Sequence, residues 1–488
     1  MTIERDALMI DGRWVRPCRA EMIPVICPST EEVIGAAPNA GSDDVDAAVM
    51  AARRAFDEGA WPRMSAAERA QMLHRALALV EPRLDEIAHL VTSEMGVPLA
   101  IAQQLMPAAL ATGHFFLGVA ARQDDVEIRS GMSTSAVLKE PVGVVASIAP
   151  WNGPFNMAVA KVIPALVAGC TVVYKPAPET PLDAYFLAEA LTEVGIPAGA
   201  FNLVTGGRDT GAAMVEHRGV DKVSFTGSTD AGRKIGAICG ESFKRVQLEL
   251  GGKSAAIILE DADLPTTLAG LAMGSFFNTG QVCASYSRVL APRSRYEEIA
   301  AGLCETASSF TVGDPFASST TMGPLVSERQ RDRVEAYIEA GRAEGAKVLV
   351  GGERPADLTR GWYTSPTVFG ECTNDMRISR EEIFGPVVAL IPYDGVDEAI
   401  RIANDSEYGL HGGVFTTDER EAVRVARSIR TGTFSVNSWT YNVEAPFGGV
   451  KSSGIGRDTG REAVESYYEL KTVNVPASME AAFTGRAG

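Results

Sequence analysis

Three short stretches hold residues able to do nucleophilic or acid–base chemistry. In FFNTGQVCASYSR, residues 276–288, Cys283 stands among small, polar and turn-forming residues. A cysteine in that setting is either a nucleophile, which needs access and a route to the thiolate, or a small apolar filler. Gly280 and Gln281 just before it can let backbone amides converge on the sulfur as an anion hole, and Ala284 and Ser285 leave room for a substrate. In LELGGKS, residues 248–254, Glu249 sits between two leucines at the end of an apolar run. A carboxylate there is either neutralised by a nearby cation or desolvated, with a raised pKa that suits a general base. In PWNGPFN the Asn152 amide can donate to a developing oxyanion; its plainer reading is a turn asparagine flanked by prolines.

The elements that must position these residues read as α/β. From about Val45 to His114 apolar residues recur at helical spacing, and AERAQMLHRALALVEPRLDEIAHLVTSEMG reads as one run ending at Gly96. Short apolar runs follow at 142–150, 171–175, 201–206, 222–227 and 246–252, with helix-like stretches between them. That alternation predicts βαβ units on a parallel sheet covered on both faces. A second series, from SAAIIL through SRVLA, KVLVG, GPVVALIPY and GGVFTT to GTFSVN, predicts another α/β layer. The C-terminal YYELKTVNV alternates and predicts an edge strand, a candidate for pairing across a subunit boundary.

No GxGxxG follows the first strand, and GSTDAGRK has Arg where a Walker A loop needs Lys. The best phosphate candidate is FTGSTDAGRKIG, 225–236, where Gly227 ends a strand and Ser228 or Thr229 can cap a helix whose amides welcome a pyrophosphate. An ordinary strand-to-helix turn has the same composition.

At 488 residues the chain exceeds what one core usually serves. The formal net charge of -17 disfavours nucleic acid as a partner. Seven cysteines without a CxxC, and five scattered histidines without HExxH or HxxxH, predict no metal and no disulfide framework. No apolar run approaches membrane-spanning length and the acidic N-terminus does not read as a signal peptide, so no membrane partner and a cytoplasmic location are expected.

PWN, KPAPETP, FTGS, LELGGKS, FFNTGQVC, EEIFGP and PFGGVKSSGIGR occur in that order in one chain. Together they closely resemble the aldehyde dehydrogenase superfamily of NAD(P)-dependent enzymes, over about Asp11 to Val475, and within it the bacterial aromatic and terpenoid aldehyde dehydrogenases. The resemblance implies a Rossmann-like cofactor domain lacking GxGxxG (1–120 and 142–251), an α/β catalytic domain (252–452), and a small β oligomerisation arm with a C-terminal segment (121–141 and 453–488). It implies that Cys283 attacks the aldehyde, that Asn152 and the Cys283 backbone N–H hold the oxyanion, and that Glu249 activates the hydrolytic water. For the cofactor it implies Lys175 at the adenosine ribose, Gly227 and Ser228 at the pyrophosphate, Glu382 at the nicotinamide ribose, and Phe384 and Trp151 beside it. A homodimer or homotetramer is implied as well.

Two departures bear on specificity. Many NAD-preferring members carry Glu three residues after the lysine; here Pro178 takes that place, which removes repulsion against a 2′-phosphate and leaves NADP open, while Glu179 one step later partly substitutes and NAD is the expected cofactor. Gly153 and Ala160 are small where relatives carry bulky aromatics, which predicts a wide tunnel walled by Tyr286, Trp439 and Tyr441 and a bulky hydrophobic aldehyde, aromatic or terpenoid. The alternatives are a CoA-acylating semialdehyde dehydrogenase, against which Glu249 speaks, and a catalytically silent binding or structural protein on the same fold. A Cys-His hydrolase is disfavoured because no histidine falls in any motif. Val282 and Ala284 leave Cys283 without an adjacent thiol.

Overall fold

The computed structural model describes residues 3–122 and 124–484. The expected domain ranges also take in 1–2, 123 and 485–488, which lie outside the described residues.

The helical first quarter is set by local signals. Ala66–Val80 starts at Ser65, whose Oγ accepts from Glu68 N at 3.2 Å while the Glu68 carboxylate accepts from Ser65 N at 2.8 Å. The run expected to be continuous to Gly96 is broken at Glu81–Arg83, where Pro82 lacks the N–H that an α-helix interior needs. Leu84–Met95 then ends at Gly96, which takes the left-handed conformation at φ 84°. Leu99–Ala121, a 23-residue helix with an 18-residue window of mean hydropathy 1.2, is long and apolar enough to cross a membrane by length and composition, contrary to expectation. In the structure it packs on Pro154–Ala168, Leu84–Met95 and Ala66–Val80, with Met106, Leu110 and Phe116 inside the core.

An eight-stranded sheet runs in the order Gly454–Ile455, Arg245–Glu249, Lys222–Thr226, Val144–Ile148, Thr171–Lys175, Phe201–Leu203, Leu8–Ile10 and Arg13–Val15. Its five central strands are parallel, and antiparallel strands close both edges. Every residue of Val144–Ile148 and Thr171–Lys175 is buried, because helices cover both faces. From Val144–Ile148 the chain adds strands first on one side, through Thr171–Lys175, and then on the other, through Lys222–Thr226. A crevice opens outside the carboxyl ends of strands at such a reversal. Asn152, Gly227, Ser228 and Glu249 all stand at those ends.

A seven-stranded sheet follows in the order Lys347–Val350, Thr367–Gly370, Val387–Tyr393, Tyr286–Pro292, Ser254–Ile258, Gly412–Phe415 and Ser435–Val436, parallel except at its first edge. Glu249 ends a strand of the first sheet and Ser254 begins one of the second, so a four-residue link, 250–253, sets carboxyl ends against amino ends. Cys283 precedes Tyr286–Pro292 and therefore faces the crevice.

A third sheet pairs Tyr468–Val475 with Thr134–Pro141 over its full length, with Val126–Ser130 beyond. The C-terminal strand thus pairs with the 121–141 arm within the chain and forms the outer edge of that sheet. Gly454–Ile455, expected with the arm, instead extends the first sheet, its Gly454 opposite Glu249.

Candidate active site

Cys283 is reached from two sides. A cavity of ≈ 650 Å³ lies on one side and a groove of ≈ 600 Å³ on the other, and Asn152, Thr226, Glu249 and Cys283 line both.

The loop carrying Cys283 is held by strain and by hydrogen bonds. Asn278, Thr279 and Gly280 are consecutive left-handed residues at φ 52°, 56° and 66°. Asn278 Nδ2 donates to Asn152 O at 3.1 Å and Thr279 Oγ1 to Gly323 O at 3.1 Å, which holds the two non-glycine residues there. At Gly280 a Cβ would lie 2.2 Å from Gly385 O, so both conformation and space demand glycine. Asn152 Nδ2 donates to Gln281 O at 2.9 Å, which completes a reciprocal clamp between the two loops and leaves its second N–H for a ligand. Backbone amides do converge on the sulfur, though not that of Gln281, whose N donates to Asn278 O at 3.0 Å. The amides that favour the thiolate are those of Cys283 and Ala284. Burial, then the Glu382 and Glu249 carboxylates, push the half-buried thiol up to about 12.

Glu249 is 3% exposed and neither carboxylate oxygen has a hydrogen-bond partner. Burial and then the charge of Asp458 push it well above the ordinary carboxylate range, opposed by Lys161 and Arg457. Gly448 makes room for it, because a Cβ there would lie 2.4 Å from Glu249 Oε1. Behind it lies a buried network that sequence reasoning missed. Lys161 Nζ donates to Asp458 Oδ2 at 3.1 Å and to Ser224 Oγ at 3.2 Å, Thr226 Oγ1 donates to Asp458 Oδ2 at 3.3 Å, and Gln247 Nε2 also bonds Asp458. One signal was present: Lys161 is the only charged residue in the apolar helix Pro154–Ala168.

The expected aldehyde-side residues divide. Gly153, Ala160, Trp439 and Tyr441 line the cavity together with Leu105, Met157, Phe277 and Phe447. Trp439 Nε1 donates to Ala284 O at 3.2 Å and its ring lies 5.9 Å from that of Phe277. Tyr286 is not a wall, which corrects that expectation. Its ring is fully buried behind the cavity, stacked on His411 at 5.4 Å, and its hydroxyl donates to Ser438 O at 3.0 Å.

On the other side, Trp151, Gly227, Ser228, Glu382 and Phe384 line the groove. Ser228 caps Thr229–Glu241, its Oγ accepting from Ala231 N at 3.3 Å. Glu382 accepts from Gly252 N at 2.9 Å, and burial raises its carboxyl to about 7. Phe384, at φ 63°, meets Trp151 edge-on at 5.3 Å, and Gln330 Nε2 anchors its carbonyl at 2.8 Å. Lys175 and Glu179 stand outside that lining. Lys175 Nζ donates to Pro176 O at 2.7 Å and Gly206 O at 2.9 Å, and burial lowers its ammonium to about 8. Glu179 pairs at 3.1 Å with Arg329, which does line the groove.

This donor set fits a dinucleotide. A capped helix start and the guanidinium groups of Arg233, Arg329 and Arg333 suit two phosphates, and the Glu382 carboxylate suits a ribose hydroxyl. A crevice at the sheet reversal, lined by these groups and floored by a thiol, fits a dinucleotide-dependent enzyme with a nucleophile beside its cofactor groove. Residues 14–473 match the model of the Aldehyde dehydrogenase family, and the chain belongs to that family. It is similar to geranial dehydrogenase of Castellaniella defragrans, 45% identical over 476 residues covering 97% of this chain and 99% of the relative. It is also similar to 3-succinoylsemialdehyde-pyridine dehydrogenase of a Pseudomonas species, 45% identical over 95% of this chain and 97% of the relative. Among solved structures, an aldehyde dehydrogenase of Mycobacterium tuberculosis complexed with NAD+ superposes with a TM-score of 0.96 at 45% identity, covering 98% of this chain and 99% of that one. The chain has the aldehyde dehydrogenase fold, and it is an enzyme that oxidises aldehydes with NAD.

Proposed function

We propose that Cys283 is the nucleophile, Glu249 the general base and Asn152 the oxyanion donor of this oxidation. The observation that carries the reading is that these three side chains line both cavities at their meeting point. The Cys283 thiolate attacks the aldehyde carbon, a C–S bond forms and the carbonyl pair moves to oxygen. The free N–H of Asn152 and the Cys283 backbone N–H hold that oxyanion. The tetrahedral adduct gives up hydride more readily than a planar aldehyde does, and the bound nicotinamide supplies the hydride acceptor. Cys283 then carries a thioester. Glu249 takes a proton from water, the resulting hydroxide adds to the acyl carbon, and the thiolate leaves with the C–S bonding pair.

Lys175 at the adenosine ribose, Gly227 and Ser228 at the pyrophosphate, and Glu382, Phe384 and Trp151 at the nicotinamide end complete the proposed cofactor contacts. Preference for NAD over NADP is assigned to Glu179, whose carboxylate occupies Arg329. Glu179→Gln frees that guanidinium and removes repulsion against a 2′-phosphate, so the NADP+ dissociation constant should fall about tenfold while that of NAD+ changes little. Titration of protein fluorescence with each cofactor measures this; an unchanged NADP+ affinity places Glu179 away from the ribose.

The substrate is proposed to be a bulky hydrophobic aldehyde, aromatic or terpenoid. Support comes from the aromatic walls, from Gly153, where an added Cβ meets nothing within 4 Å, and from the relative named for geranial. A panel of acetaldehyde, benzaldehyde and geranial tests it, with kcat/KM expected to rise along the series. In Gly153→Trp the indole fills that space, so kcat/KM for geranial should drop roughly a hundredfold while that for acetaldehyde stays within a few-fold. Equal losses for both would place Gly153 away from the path.

We further propose a cofactor domain of 1–120 and 142–251, a catalytic domain of 252–452, and an arm built from 121–141 and Tyr468–Val475, in line with sheet membership. A homodimer or homotetramer is supported by the outer strand Tyr468–Val475 and by exposed Leu470 and Phe243. A cytoplasmic location is supported by seven free cysteines.

A further inference from the structure

His74 on Ala66–Val80 and His114 on Leu99–Ala121 meet where those helices pack. Their Nδ1 atoms lie 3.3 Å apart, with ring centroids at 4.9 Å and planes inclined by 58°. Two nitrogens in such contact cannot both carry a proton, so at least one ring is neutral and presents a lone pair. His74 is exposed and His114 half-buried, so solvent reaches the pair, and among the described residues neither ring makes another hydrogen bond. A tetrahedral ion with ligand nitrogens at about 2.0–2.1 Å holds them about 3.3–3.4 Å apart, which is the separation found here.

We propose that His74 and His114 form a two-imidazole site for a divalent transition ion of the zinc and nickel class, with water completing the shell. Imidazole suits these ions. Among the described residues no third His, Cys, Asp or Glu side chain joins the pair in a metal-binding group, so water must supply the remaining ligands. A bound ion ties Ala66–Val80 to Leu99–Ala121, the helix that carries Leu105 to the aldehyde cavity.

The test is a calorimetric titration with Ni2+ and a parallel thermal melt, on full-length protein carrying Cys283→Ser so that the active-site thiol takes no metal. One Ni2+ per chain and a higher Tm at saturating metal are expected. Both effects should vanish in His74→Gln and in His114→Gln, whose metal-free melts report that they fold. No uptake by the parent, or uptake that survives either substitution, overturns the site. The visible spectrum of bound Co2+ gives a reading that needs no histidine variant: a four-coordinate, nitrogen-ligated ion is expected, and a six-coordinate or thiolate-ligated one overturns the proposal.

Discussion

Cys283→Ala is expected to lower kcat/KM for every aldehyde by on the order of 10^5-fold, with NAD+ affinity unchanged. The loss is large because no other described cysteine lines both cavities, so nothing replaces the C–S bond. NADH absorbance reads the turnover and calorimetry reads NAD+ binding; a variant that still turns over removes Cys283 from the mechanism. The thiol also predicts a pH course. Burial and two carboxylates push it up to about 12 in the NAD-free enzyme, so the reactive anion grows with pH across the alkaline range. Inactivation by iodoacetamide should therefore keep climbing past pH 9.0, the ordinary thiol value, instead of levelling there. A plateau near neutrality would mean that the amides of Cys283 and Ala284 outweigh burial.

Glu249→Gln is the second large effect. A base removed from deacylation leaves the acyl group on Cys283, so one NADH per active site should form rapidly, followed by a steady rate reduced about 10^2- to 10^4-fold. An equal loss in the burst and in the steady phase would assign Glu249 to the first half-reaction instead. Because the working form is the carboxylate and burial raises its pKa, the parent's steady rate should rise with pH from acid into neutral solution, and the variant should lose that rise. Stability moves in the opposite sense. The folded pKa is raised above the unfolded one, so the folded state binds more protons above the ordinary value of 4.5 and loses stability as pH rises toward the raised value. The variant has no such loss, and its Tm minus that of the parent should grow with pH over that window.

Much of the architecture was legible because its signals are local. The five parallel strands of the first sheet are short apolar runs between turn residues, and Gly96 marks a helix end through backbone geometry that glycine favours. Elements that lack such signals were missed. Thr367–Gly370 is four residues long, and Leu8–Ile10 joins a sheet formed far along the chain. The helical run through Pro82 looked continuous because apolar periodicity does not register a missing N–H.

The sequence by itself determined the family and the parallel α/β layers, and it singled out Cys283, Glu249 and Asn152 as candidates through the order of the motifs that carry them. Only the tertiary structure decided what surrounds them. It set the carboxyl ends of one sheet against the amino ends of the other, so that one thiol opens to two cavities. It placed Asp458 behind Glu249 through Lys161, 297 positions away, turned Tyr286 into the core, and joined His74 to His114 across 40 residues. Periodicity and spacing describe a residue's relation to its own element. Which elements meet end to end is settled by the packing of whole layers, and the network behind Glu249 and the histidine pair exist only after that packing.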